Sequence, residues 1–251
     1  MNRLMNEYYN AVMKIFNLIK ENEQDNIRKA AEKLANRIRD KELIYVVGTG
    51  AHSTIIAEEM FYRAGSLQPI NSMLDAGVIL NQGAIHSTLI ERTNNYAISL
   101  LNYYGVGKDD VIIIVNVNGI NAMTIETALE SKKRGATVIG VTSIDFANRV
   151  PDNTPSRHFS NNNLHEIVDI VLNLHVPVGD ALLEVPGIPV KVGPSSTLAA
   201  ALCVNMLIVT TIEILLEWGI TPPIWMSANI PGGDEYNKKF IESNLGIIKH
   251  L

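Results

Sequence analysis

Apolar positions recur with helical spacing over the first forty residues. Tyr8, Val12, Ile15 and Ile19 fall on one face of a segment from about 5 to 20, and Ile27, Ala30, Ala31, Leu34 and Ile38 on one face of 25–39. The pattern then changes to a short continuous run at 43–47, which reads as a buried parallel strand. It enters Gly48-Thr49-Gly50-Ala51-His52-Ser53, where glycines allow a tight turn and close backbone approach and Ser53 supplies an N-cap. A helix from Thr54 to Ala64, ended by Gly65, and a short strand at 69–73 are predicted next. No period persists through 77–94, which predicts a loop with a helical turn or two over the site.

The clearest unit is the run 111–115, the turn 116–121, a helix to Arg134, Gly135 as its stop and the strand 137–142. Strand, helix and strand of these lengths imply parallel pairing and a right-handed crossover, so the chain is read as α/β with a doubly wound, mostly parallel sheet. Residues 145–163 are rich in Asn, Asp, Ser and Pro and predict a long loop carrying His158, followed by a strand over 167–176. A proline-broken stretch with Asp180 and Glu184 leads to Ser195, Ser196 and Thr197, hydroxyls placed before an apolar helix over 198–217. That helix is apolar on too many sides for a surface helix, which predicts cover by a second subunit. A tight turn with a capping carboxylate is expected at 230–235.

Composition narrows the function. In 251 residues the charged fraction is 19% and the net charge −5, with no basic cluster, so nucleic acid is not expected as a partner. One domain over 1–251 is expected. The lone cysteine, Cys203, cannot form an internal disulfide. The first residues lack the apolar core of a signal peptide, and Asn205, Thr210, Thr211 and Glu213 interrupt the apolar helix; a cytoplasmic protein with no membrane span is expected. No H-x-x-x-H or C-x-x-C spacing exists, so no metal is expected. A dinucleotide fingerprint fails at its third glycine, where Ser53 stands, and no cofactor is expected.

Two places have the grammar of an anion site, in which a helix N-terminus and its orphan N–H groups converge on one point. One is Gly50, His52 and Ser53; the other is Ser195, Ser196 and Thr197. His158 lies in a loop expected at the C-terminal edge of the strands, where open sheets carry ligands, and is a catalytic candidate for that reason. Glu184, in the proline-broken stretch, is another.

The order of elements and the residues at the turns resemble the sugar isomerase (SIS) domain. Family members carry a strand and glycine turn like 48–53, and a second strand ending in S-x-S-G-x-[ST]. The same frame here reads Asn116-Val117-Asn118-Gly119-Ile120-Asn121 and runs through Gly135-Ala136 to Thr142. Three hydroxyl positions carry Asn, whose amide N–H₂ also donates to a phosphate. The runs 57–65, 178–181, 192–197 and 227–237 resemble a bacterial branch of SIS proteins often described as phosphoheptose isomerases.

The resemblance implies a flavodoxin-like fold and a homo-oligomer, dimer or tetramer, with its site near the subunit interface. It implies a phosphorylated sugar as ligand and aldose–ketose isomerisation through an enediol. Glu59 matches the family's base and Glu58 is the second choice, with phosphate contacts at Gly50, His52, Ser53, Asn116, Asn118, Gly119, Asn121, Thr142, Ser195, Ser196 and Thr197. The late histidine of those enzymes has no counterpart, since no His stands between His175 and His250. A non-catalytic phosphosugar sensor and a lyase or etherase on an amino-sugar phosphate remain the alternatives.

Overall fold

The structure is a computed structural model that describes residues 2–251. The amphipathic segments form α1 (Arg3–Asn22) and α2 (Gln24–Arg39), whose apolar faces bury Val12, Ile15, Ile19, Ile27 and Leu34. The β-branched runs form β1 (Ile44–Gly48), β3 (Val111–Val115) and β4 (Thr137–Thr142), nearly all of whose residues are buried, as befits strands covered on both sides. With β2 (Ile70–Ser72) and β5 (Ile170–Asn173) they make one parallel sheet in the order β2-β1-β3-β4-β5. Two apolar layers sandwich it. One joins the sheet to α1, α2, α3 (Ala51–Met60) and α9 (Ser196–Glu217); the other joins it to α5 (Tyr96–Tyr104) and α6 (Ala122–Lys133). This is the doubly wound α/β fold that the pattern predicts.

Several boundaries differ from the sequence reading. The helix after β1 starts at Ala51 and stops at Met60, because Gly50 takes the N-cap and Phe61 is extended (φ −97°, ψ 133°); Ser53 is inside the first turn and caps nothing. The stretch 77–94 holds a 3₁₀ turn (Leu80–Gln82) and α4 (Ala84–Glu91). The expected loop 145–163 opens with α7 (Ile144–Arg149), and the expected strand 167–176 is α8 (Leu164–Ile167) followed by the shorter β5. The proline-broken stretch is an antiparallel hairpin, β6 (Ala181–Leu183) and β7 (Val192–Pro194), pinned to α1 by the Tyr8 hydroxyl donating to the Pro194 carbonyl (2.6 Å). Past the turn at 230–232 the chain forms α10 (Gly233–Asn244), with Asp234 and Glu235 in its first turn and no side-chain cap.

By length and composition α9 is the one described helix that could cross a membrane, despite its polar interruptions. Half of its most apolar stretch is buried within the fold. Ala200, Cys203, Val204, Leu207 and Ile208 face α2, α3 and the sheet.

Candidate functional site

Strand order reverses between β1 and β3, whose C-terminal ends therefore open a crevice, the place where open α/β sheets hold ligands. Gly48 ends β1 because any side chain there would strike the backbone of Ser53 and Thr54 at 2.3 Å. Glycine thus lets α3 start directly over the strand, and Gly50, Ala51, His52 and Ser53 line the crevice, where the first N–H groups of the helix have no intrahelical acceptor.

The turn after β3 is tied to this one by a single side chain. Asn116 accepts from the Gly119 N–H through Oδ1 (2.9 Å) and donates through Nδ2 to the Thr49 carbonyl (3.2 Å). Asn118 Oδ1 accepts from the Ile120 N–H (3.1 Å), a local turn bond, while its amide N–H₂ donates to no described residue. Gly119 has φ +62°, and a Cβ there would lie 2.6 Å from Thr142 Oγ1. Thr142 and Asn121 are buried, and Asn121 Nδ2 bonds the Ser156 carbonyl (2.9 Å). Gly119, Asn121 and Thr142, expected as phosphate contacts, thus support the turn from behind.

The third wall is the N-terminus of α9. Asp180 fills it: Oδ1 accepts from the Ser195 N–H (2.9 Å), the Ser196 N–H (2.7 Å) and Ser195 Oγ (3.2 Å), and Oδ2 from Ser196 Oγ (2.9 Å). The anion expected at Ser195 and Ser196 is therefore the chain's own carboxylate.

The walls enclose a cavity of about 560 Å³. Gly50, His52 and Ser53 line it from α3, Asn116 and Asn118 from the β3 turn, and Ser196 and Thr197 from α9. Its charged or titratable lining residues are Glu91, Asp180 and His52, and no Lys or Arg lines it.

Glu91 escaped the sequence reading. It ends α4, forms no hydrogen bond or ion pair with a described residue, and sits so near the N-cap of α3 that a methyl on Gly50 would be 2.9 Å from its Oε2. Burial pushes its carboxyl above the usual range, and Arg92 only partly opposes this. One signal was available: an acid at a helix C-terminus runs against the helix dipole, and a broken local rule marks a site worth inspecting.

The other acid–base candidates lie outside the cavity. Glu59 accepts from Asn205 Nδ2 on α9 (3.3 Å) and is 3.4 Å from Arg63 Nε. Glu58 faces a separate depression beside Ile79 and Asn81. Glu184 is on the exposed hairpin, 3.4 Å from Lys191 Nζ. His158 is buried beneath its loop, with Nδ1 bonded to Ser160 Oγ (2.8 Å) and Nε2 3.7 Å from Glu126 Oε1; burial pushes its pKa down. Their separation from the crevice is tertiary and has no local signature.

Comparison with known proteins agrees with this architecture. A model of the SIS domain matches residues 7–143. A UPF0309 protein of Geobacillus kaustophilus is 34% identical over 239 residues, covering 95% of this chain and 93% of that protein. Another, from Halalkalibacterium halodurans, is 36% identical over 239 residues, covering 95% and 94%. A phosphoheptose isomerase from Neisseria gonorrhoeae shares the fold, with TM-score 0.53 at 12% identity over 86% of this chain and 98% of that one. By the family match and these relatives, the chain belongs to the SIS-domain family, among the UPF0309 proteins.

Proposed function

We propose that the chain binds a phosphorylated sugar in the cavity between α3, the β3 turn and α9, and isomerises it by proton transfer through Glu91. The observation that carries this reading is a carboxylate without a partner, held at the N-terminus of α3 in the same cavity as the unused amide of Asn118. Isomerisation through an enediol needs a group to move the proton beside the carbonyl and donors for the developing oxyanion. The α3 N–H groups, Ser53 and Asn118 supply donors for a phosphate and an oxygen. Glu91 takes the place of Glu59 because Glu59 faces Asn205 and Arg63.

We also propose that α9 pairs with a second copy, giving a homo-oligomer that works in the cytoplasm. Leu198, Val209 and Leu216 are exposed along α9, and half-buried Leu202 continues their row, an apolar stripe at spacings of four and seven that a second helix would cover. Leu198 follows Thr197 of the cavity wall, so the site lies beside that interface. Val209→Lys should leave a folded monomer by light scattering; an unchanged mass would refute the pairing.

The functional test is a thermal-shift titration against sugar phosphates, with free sugars, inorganic phosphate and NAD as controls. Ligand at about 100 times its dissociation constant adds roughly 2.7 kcal/mol, a visible change in melting midpoint. A shift specific to one phosphosugar, followed by its conversion in an NMR assay, supports the isomerase. A shift without conversion assigns a sensor, and release of a leaving group assigns a lyase. No shift across the panel removes the phosphosugar.

A further inference from the structure

A second cavity, of about 370 Å³, lies where the chain leaving α3 meets the strap 223–229 and α10, and it shares no lining residue with the crevice. The strap is fastened on both edges. The Gly65 N–H donates to the Trp225 carbonyl and the Trp225 N–H to the Ser66 carbonyl, each at 2.9 Å. On the other side buried Asn237 of α10 accepts from the Met226 N–H (3.1 Å) and donates to the Met226 carbonyl (2.8 Å). Gly233 packs so closely against Ser227 that a Cβ would meet its carbonyl oxygen at 2.0 Å. The shape of this wall is thus set before any ligand arrives, which lowers the entropic cost of binding.

Tyr62 closes one side of the cavity from the left-handed region (φ +49°), a state that a bulky side chain adopts only where its surroundings impose it, and such residues gather at ligand sites. Its ring leans on Trp225, with centroids 4.7 Å and planes 59° apart, and Trp225 packs edge-on against Phe240 (5.3 Å). Trp225 is buried while Tyr62 stays 49% exposed, so aromatic surface is left uncovered at the cavity. Arg63 is the one charged residue among those that line it. Its Nε is 3.4 Å from Oε1 of Glu59, a carboxylate outside the lining, and its guanidinium donates no hydrogen bond to a described residue.

We propose that this cavity binds a nucleoside monophosphate, with the base against Tyr62 and the phosphate on Arg63. An uncovered aromatic ring beside a guanidinium fits a planar, π-rich body that carries an anion. The hydroxyl of Ser227 and the amide of Asn229, which also line the cavity, suit the edge of a base, where donors and acceptors alternate. The volume is toward the small end of small-molecule sites, which suits a mononucleotide better than a dinucleotide. The site is independent of the phosphosugar reading.

The experiment is isothermal titration calorimetry of the full chain at low salt with AMP and GMP, and with adenosine and inorganic phosphate as the two halves of the ligand. A mononucleotide should bind about tenfold or more tightly than either half, since stacking on an aromatic side chain and a charge-assisted hydrogen bond are each worth about that factor. Arg63→Gln should weaken it about tenfold, to the level of adenosine. Tyr62→Gly suits the left-handed backbone and removes the ring; it should stay folded by circular dichroism and weaken the mononucleotide by a similar factor. Asn118→Ala, in the crevice, should leave mononucleotide affinity unchanged. Loss of binding in Asn118→Ala with retention in Arg63→Gln and Tyr62→Gly would put the nucleotide in the crevice and overturn the proposal. Absence of mononucleotide binding would overturn it as well and leave the phosphosugar reading to its own titration. If Tyr62→Gly fails to fold, Arg63→Gln, a change at an exposed side chain, decides alone.

Discussion

Two carboxylates stand at helix N-termini on the walls of one cavity, and they are bonded in opposite ways. Asp180 accepts four hydrogen bonds from Ser195 and Ser196 at the start of α9. Glu91 stands against Gly50 at the start of α3 and accepts none from a described residue. The first side chain has spent its acceptors on holding the hairpin to the helix. The second is half-buried with only Arg92 to offset its desolvation, a placement that costs stability unless a ligand or a proton relieves it. Hydrogen-bond accounting separates an acid committed to the scaffold from one left free for the role proposed above, where residue type and helix position do not.

Glu91→Gln should give the largest effect. We expect turnover of an identified phosphosugar to fall about 10²–10⁴-fold, the usual worth of a positioned acid–base group, while the melting midpoint stays level or rises. Turnover that survives this change but not Glu59→Gln would return the chemistry to the carboxylate on α3. Asp180→Ala should behave oppositely. It frees two N–H groups at the start of α9 and releases the hairpin, and it should cost about 2 kcal/mol in urea unfolding. Loss of activity without loss of stability there would erase the contrast between the two acids.

The fold was legible because its signals are local. A β-branched run, a glycine turn and a glycine stop such as Gly135 each act within a few residues, and they place β1, β3 and β4 in the sequence as they lie in the sheet. The site was half legible for the same reason: Gly50, His52, Ser53, Asn116 and Asn118 sit on turns that follow strands. Asp180 meets Ser195 from 15 residues away across a hairpin. Glu91 meets Gly50 from another helix, in a stretch without a readable period. Resemblance pointed to Glu59 on α3, whose side chain faces Asn205.

The stability of the protein against pH should sharpen the comparison further. Burial raises Glu91 above its ordinary 4.5, so the folded chain holds that proton to higher pH than the unfolded chain. Its share of stability is present at low pH and is lost as pH climbs from about 4.5 through the raised value. Glu126 shifts in the same direction, also by burial. Burial lowers His158 and His165 from 6.5, so their share is lost as pH falls below 6.5. Subtracting the melting profile of Glu91→Gln from that of wild type cancels the histidines and Glu126. The difference should decline as pH rises above about 4.5; a flat difference would show that Glu91 is solvated as an ordinary carboxylate.

The smallest effect should come from one methyl added at Gly50, and set against the same methyl at Gly48 it separates space held for folding from space held for a ligand. At Gly48 a Cβ would strike Ser53 and Thr54 backbone at 2.3 Å, so Gly48→Ala must move α3 off the strand and should be severely destabilising. At Gly50 the nearest atoms are Glu91 Oε2 (2.9 Å) and Asn116 Nδ2 (3.2 Å), and the backbone is extended (φ −168°), which alanine adopts freely. Glu91 can swing away because the contact is the far end of a flexible side chain. Gly50→Ala should therefore melt within a few degrees of wild type yet bind phosphosugar more weakly, since the methyl stands where the anion meets the first N–H groups of α3. Equal loss of stability at the two glycines would mean that the gap beside Gly50 is a packing requirement, and Glu91 would then join Asp180 as part of the scaffold.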